Sequence, residues 1–192
     1  MADTIQAAIR GAIADAPCDV FPVEAINVRL AGLNRSVRFA DEEVDTILDM
    51  ECGDRRTFLL LSLLYPNFDY SNPFHVDHIF PRAKMTELRL KTRGLAVDVA
   101  RDATTLRDNL ANLQLLAGGP NKAKSDSDFD VWLTTQFPSA TDRGYFLAMH
   151  RFPQMVAFTY ETFLDFIAAR RAILFAVLKA ELNPETASAA AA

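Results

Sequence analysis

The chain has 192 residues and a mass of 21.3 kDa; half of its residues are hydrophobic, 23% are charged, and the formal net charge is −5. That is enough apolar sequence to bury a real core, and it excludes intrinsic disorder, low complexity and a collagen-like repeat. Cys18 and Cys52 stand far apart with no C-x-x-C partner. This excludes a disulfide scaffold and a cysteine-ligated zinc ribbon, and fits a reducing compartment.

The most apolar stretch, Phe163 to Leu182, carries Asp165, Arg170, Arg171, Lys179 and Glu181, so no membrane span is expected. Asp3, Gln6 and Arg10 break up what would otherwise be a leader, and the expected location is the cytoplasm.

Helical spacing opens the chain. Ile5, Ala8, Ile9 and Ile13 share a face in a predicted helix over residues 4–15, stopped by Pro17. A second helix is predicted over 23–33. A third begins at Ala40-Asp41-Glu42-Glu43, where acids favour a helix N-terminus. Thr57 to Leu64 is apolar almost all round and reads as a buried helix ending before Pro66.

The pattern then changes. Asn67 to Pro73 is rich in turn formers, and Phe74 to Phe80 is a short β-like run ended by Pro81. Helices are predicted over 84–90 and 98–106, and a second strand over Asn112 to Leu116. Gly118-Gly119-Pro120 should turn that strand into a helix starting near Asn121. Further helices are predicted over 128–136, with Trp132 packed, over 141–149, and over 160–182. The expected fold class is mainly α with a small embedded strand–strand–helix core. The domain reading is a helical N-terminal region (1–70), a core (71–136) with an insertion at about 84–107, a C-terminal helical region (137–184) and a disordered tail (185–192).

Charge is unevenly spread. Between Arg82 and Lys124 nine cations face four anions, a local net of +5 in a chain of −5. Such asymmetry suits a localised polyanion site, although scattered Lys and Arg on a solvated helix face give the same count.

Two of the three histidines fall in His75-Val76-Asp77-His78. On a strand His75 and Asp77 share a face, with His78 at the end where the chain turns. Asp77 can hold a hard cation through oxygen, and an imidazole at His78 can take a proton from water at neutral pH. A histidine satisfied by a backbone carbonyl is the competing explanation of this tetrapeptide alone. Asn121, nine residues after Asn112, is a possible metal ligand or a helix cap, and Lys122 and Lys124 in the next turn could hold phosphates.

Taken together, Asp77-His78-Ile79-Phe80-Pro81, Asn112-Leu113-Gln114-Leu115-Leu116 and Asn121-x-x-Lys124-Ser125-Asp126 resemble the HNH nucleases of ββα-metal fold, in the right order. The last block is similar to that of the target-strand nuclease domain of CRISPR effectors. The whole stretch Phe74 to Leu133 more closely resembles the C-terminal nuclease portion of GmrSD-type modification-dependent restriction enzymes and related phage-defence proteins. That resemblance extends to the Trp132-Leu133 pair and to Phe163-x-x-Phe166-Ile167-x-x-Arg170-Arg171.

The resemblance implies a DNA endonuclease, nicking or cutting, that leaves 5′-phosphate and 3′-hydroxyl ends. It assigns Asp77 and Asn121 to one Mg²⁺ or Mn²⁺ per site and His78 to the general base. Asn112 would tie the loop together and orient His78. Arg82, Lys84, Lys122 and Lys124 would meet DNA phosphates. His75 stands where the motif has an acid, and is either an additional or supporting metal residue or structural. The insertion is either part of the DNA surface or packing. No G-x-x-x-x-G-K-[ST] loop is present, so recognition would come from a longer chain or a sensor partner, while a second copy could cooperate in cutting both strands. The alternatives are a nucleic-acid-binding or structural module inactive without its sensor, and a metal-stabilised protein-interaction domain.

Overall fold

The computed structural model describes residues 2–17, 21–154 and 156–183. Cys18 and the tail over 185–192 lie outside the described residues. The chain is mainly helical with one two-stranded antiparallel sheet. It divides into two compact units, one of residues 1–44 and 179–192, the other of residues 45–178. No described helix is long and apolar enough to cross a membrane.

In the first unit, α1 (Ala2–Ala14) and α2 (Val23–Ala31) pack through Ala12, Ile26 and Leu30, with Ile5, Ala8, Ile9 and Val37 around them. Ala12 is 1% exposed and Ile13 is 45% exposed, so the inward stripe continues from Ile5, Ala8 and Ile9 to Ala12 rather than Ile13. The i, i+3, i+4, i+7 spacing favours position 12, and a small residue lets the helices approach.

α3 (Asp41–Leu48) starts with three acids in its first turn, where the helix dipole favours negative charge. In the second unit, α4 (Thr57–Leu63) buries Thr57, Leu60 and Leu61 against the sheet. Leu59 is 62% exposed, so this helix is covered on one side only, contrary to the reading of an all-round buried helix.

The sheet pairs β1 (Phe74–His78) with β2 (Leu113–Ala117). Its register sets Asp77 opposite Gln114 and His78 opposite Leu113. The long connection between the strands holds a 3-10 turn (Arg82–Lys84), α5 (Glu87–Thr92) and α6 (Val97–Leu106). α5 begins later than the predicted residue 84 because Thr86 caps it, its Oγ1 accepting from the Arg89 N–H. Leu90, Ala100 and Ala103 are buried, so the insertion has a packing face, while Arg89, Lys91, Arg93 and Arg101 stay exposed.

After β2, α7 (Gly118–Lys124) starts three residues before the predicted Asn121. Pro120 sits in the first turn, where its missing N–H has no helical partner to lose, so Gly118-Gly119-Pro120 is helix rather than turn. α7 packs on both strands. α8 (Phe129–Gln136), α9 (Ala140–Met149) and α10 (Phe163–Leu182) follow. Trp132 is buried edge-on to Phe137 and Phe146, and Phe80 just beyond β1 meets Phe163 and Phe166 of α10. This aromatic packing fixes the end of β1.

Candidate active site

The end of β1 carries two polar groupings. The first is built on His78, whose Nε2 lies 2.8 Å from Asp108 Oδ1. The same oxygen receives Arg82 Nε at 3.0 Å, and Asp108 Oδ2 receives Arg107 Nε at 3.2 Å. Burial pushes the Asp108 carboxyl up, but hydrogen bonds from His78 and Arg107 and the charge of Arg82 outweigh it and hold it below the usual carboxylate range. His78 keeps 15% of its side-chain surface, so the imidazole is sheltered but reachable.

The second grouping is the pair Asp77–Lys124. Asp77 shares a strand face with its partner Gln114, and Gln114 Nε2 donates to Asp77 Oδ2 at 3.0 Å. From α7, Lys124 Nζ stands 3.2 Å from Oδ1 and 3.1 Å from Oδ2 of the same carboxylate. It also donates to the His78 carbonyl oxygen at 2.6 Å. Burial raises the Asp77 carboxyl and lowers the Lys124 ammonium, and their mutual attraction opposes both shifts. Lys124, read from the sequence as meeting phosphate, has no exposed surface, because α7 lies on the sheet and aims its side chain inward. In this arrangement it presents no charge at the surface.

Asn112 links the strand ends. It is fully buried; Oδ1 accepts from the Phe80 N–H at 2.9 Å, and Nδ2 donates to the carbonyls of Phe80 (3.2 Å) and Arg107 (2.6 Å). The chain after His78 and the chain before Asp108 are thereby held by one side chain. Arg170 of α10 reinforces this corner, its Nη1 donating to the carbonyls of Ala111 at 2.7 Å and Leu113 at 2.8 Å.

The remaining candidates are dispersed. Asn121 is half-buried on α7. His75 is exposed, its Nε2 3.7 Å from where a Cβ on Gly118 would stand, which puts it beside the start of α7. Lys84 is engaged by Asp128 at 3.0 Å, Lys122 is exposed, and the Arg82 side chain is 61% exposed.

Two participants were not singled out from the sequence. Asp108 counted only as one of four anions in the basic window. Its signal was an acid four residues before Asn112, at the edge of the motif block. Gln114 was the one polar residue inside the apolar run Leu113 to Leu116, an isolated amide that a buried strand keeps only with a partner.

Over residues 37–145 the chain matches the family described as GmrSD restriction endonucleases, C-terminal domain. The chain belongs to this family. No curated protein matches it. The GmrSD C-terminal match runs from before α3 into α9 and takes in both groupings, so the site lies in a nuclease domain of restriction-endonuclease type.

For a GmrSD-type domain the donor set bears on metal binding. Among the described residues no group of three or more His, Cys, Asp or Glu could hold a metal ion. Asp77 and Asn121 carry hard oxygens, and Gln114 Oε1 is buried with no hydrogen-bond partner among the described residues. So few protein donors do not make a closed cage. A hard cation that keeps several waters needs only one or two protein oxygens.

Proposed function

We propose that the chain is a divalent-metal-dependent HNH endonuclease that hydrolyses DNA phosphodiester bonds, with β1, β2 and α7 as its ββα core. In this reading it serves as the effector domain of a restriction or anti-phage defence system. The observation that carries the proposal is His78 at the end of β1, bound through Nε2 to Asp108 and adjacent in sequence to Asp77. A sheltered imidazole held by a carboxylate is equipped to take a proton from water. Asp77 and Asn121 would hold Mg²⁺ or Mn²⁺. Bound there, such an ion supplies stabilisation of the charge developing on phosphate and on the leaving 3′-oxygen. Arg82, exposed and tethered to Asp108, would meet a phosphate, with Lys122 on α7 as a further contact.

The test is cleavage of supercoiled plasmid by the wild type and by His78→Ala, each with Mg²⁺, Mn²⁺ or EDTA. Open-circular or linear product from the wild type alone, abolished by EDTA, is the expected result. Equal cleavage by the variant, or cleavage in EDTA, would sink the reading.

One observation favours a second reading, a nuclease domain silent until a sensor or second copy engages it. Asp77 already carries an internal cation in Lys124, so loading with metal requires that pair to open or rearrange. Cleavage that appears only when a partner is added would select this reading.

A further inference from the structure

Asp108 lies outside all three motif blocks, yet it makes the polar contact to His78 Nε2. An ionised carboxylate has no proton to give and can only accept, so the hydrogen in the 2.8 Å contact belongs to Nε2. A neutral imidazole carries one N–H. With that hydrogen on Nε2, Nδ1 is left with its lone pair free. Among the described residues no hydrogen bond engages Nδ1.

The carboxylate is itself fixed from several sides. Arg82 Nε and Arg107 Nε hold its two oxygens at 3.0 and 3.2 Å. The Asp108 carbonyl accepts from the Cys52 N–H at 2.7 Å, and the neighbouring Arg107 carbonyl accepts from Asn112 Nδ2. A carboxylate with this many anchors selects one ring orientation as well as one tautomer.

Resting on the nuclease reading above, we infer that Asp108 is the positioning residue for His78: it holds the ring by Nε2–H and leaves Nδ1 as the atom that accepts the proton of the attacking water. The proton then leaves the water for Nδ1 while the water oxygen bonds to phosphorus, the bond from phosphorus to the 3′-oxygen breaks, and the 3′-oxygen leaves with that electron pair and takes a proton from solvent. The imidazolium so formed has its Nε2–H directed at the Asp108 carboxylate, which stabilises it. A backbone carbonyl could orient a ring but would add no charge. The carboxylate does both.

The test uses the full chain with ¹⁵N-labelled histidine, at a pH where imidazoles are neutral. The wild type should show a low-field His78 Nε2–H proton protected from exchange with water, assigned by its loss in His78→Ala. Asp108→Ala should lose that signal and lower kcat on DNA by roughly 10²-fold with little change in KM. Arg107→Ala, which leaves the acceptor in place, should keep the signal, and Asp108→Glu should recover part of the rate. A protected proton that survives in folded Asp108→Ala overturns the inference, as does a kcat equal to that of the wild type. If the wild type cleaves no DNA under any metal condition, the reading of a nuclease active on its own fails, and the proton signal still decides whether Asp108 holds His78.

Discussion

Lys124, with no exposed surface, lies 3.1 Å from an Asp77 carboxylate oxygen across 47 positions of sequence. Opposite charges in a low-dielectric interior attract strongly, but each has lost its hydration, so the pair is only as good as its remaining contacts. Those contacts are Gln114 on Asp77 and the His78 carbonyl on Lys124. Lys124→Met should strand a buried carboxylate and cost about 3–5 kcal/mol of stability. The double variant Asp77→Asn/Lys124→Met should recover most of that loss. Urea unfolding of the four proteins in the cycle measures the coupling, and additive losses would show that the pair contributes little.

Asn112 satisfies three backbone groups at once, two on Phe80 and one on Arg107. Asn112→Ala leaves all three without their partner in the interior and should cost about 2–4 kcal/mol. Because those groups flank His78 and Asp108, the folded variant should also lose cleavage rate at temperatures well below its melting point. Thermal melts combined with cleavage at low temperature separate the two effects.

His150 gives the fold a pH signature independent of the site. It is buried among Tyr65, Phe68, Phe146 and Phe152, and its Nδ1 has no hydrogen-bond partner among the described residues. Burial, with the Arg170 charge adding to it, lowers its pKa to about 3. The unfolded chain binds this proton near the ordinary imidazole value and the folded chain does not, so stability should rise with pH across that interval. Stability is therefore fully present above pH ~6.5 and lost progressively as pH falls towards 3, by up to a few kcal/mol. Denaturant midpoints measured from pH 7.5 down to 4.5 should fall more steeply for the wild type than for His150→Phe. Parallel curves would assign the acid sensitivity elsewhere.

Arg82 combines a tether to Asp108 with a largely exposed guanidinium. On the nuclease reading, Arg82→Ala should raise KM for DNA several-fold and reduce the salt slope of binding by about 1. Titrations of a labelled duplex at several salt concentrations give the slope directly. A slope equal to that of the wild type would leave Arg82 as a residue that only supports Asp108.

The two strands were legible because their polar and turn residues punctuate apolar runs, and the helices because their apolar residues recur every three or four positions. The start of α7 was not, since Gly118-Gly119-Pro120 spells a turn in isolation and becomes a first helical turn only when the sheet supplies a packing surface. The burial of Lys124 was equally invisible. A lysine reads as a surface cation until the fold brings Asp77 to meet it. Asp108 illustrates the same limit: its partner His78 lies 30 positions away, across an insertion whose path local patterning does not determine.

On the nuclease reading His78 does chemistry and does not merely hold DNA. Cleavage rate and DNA affinity measured side by side for the wild type and His78→Ala, with Mg²⁺ present, test it most directly. The variant's rate should fall by roughly 10³-fold while its affinity changes by no more than about twofold. An unchanged rate, or a loss of affinity that accounts for the whole loss of cleavage, would contradict it.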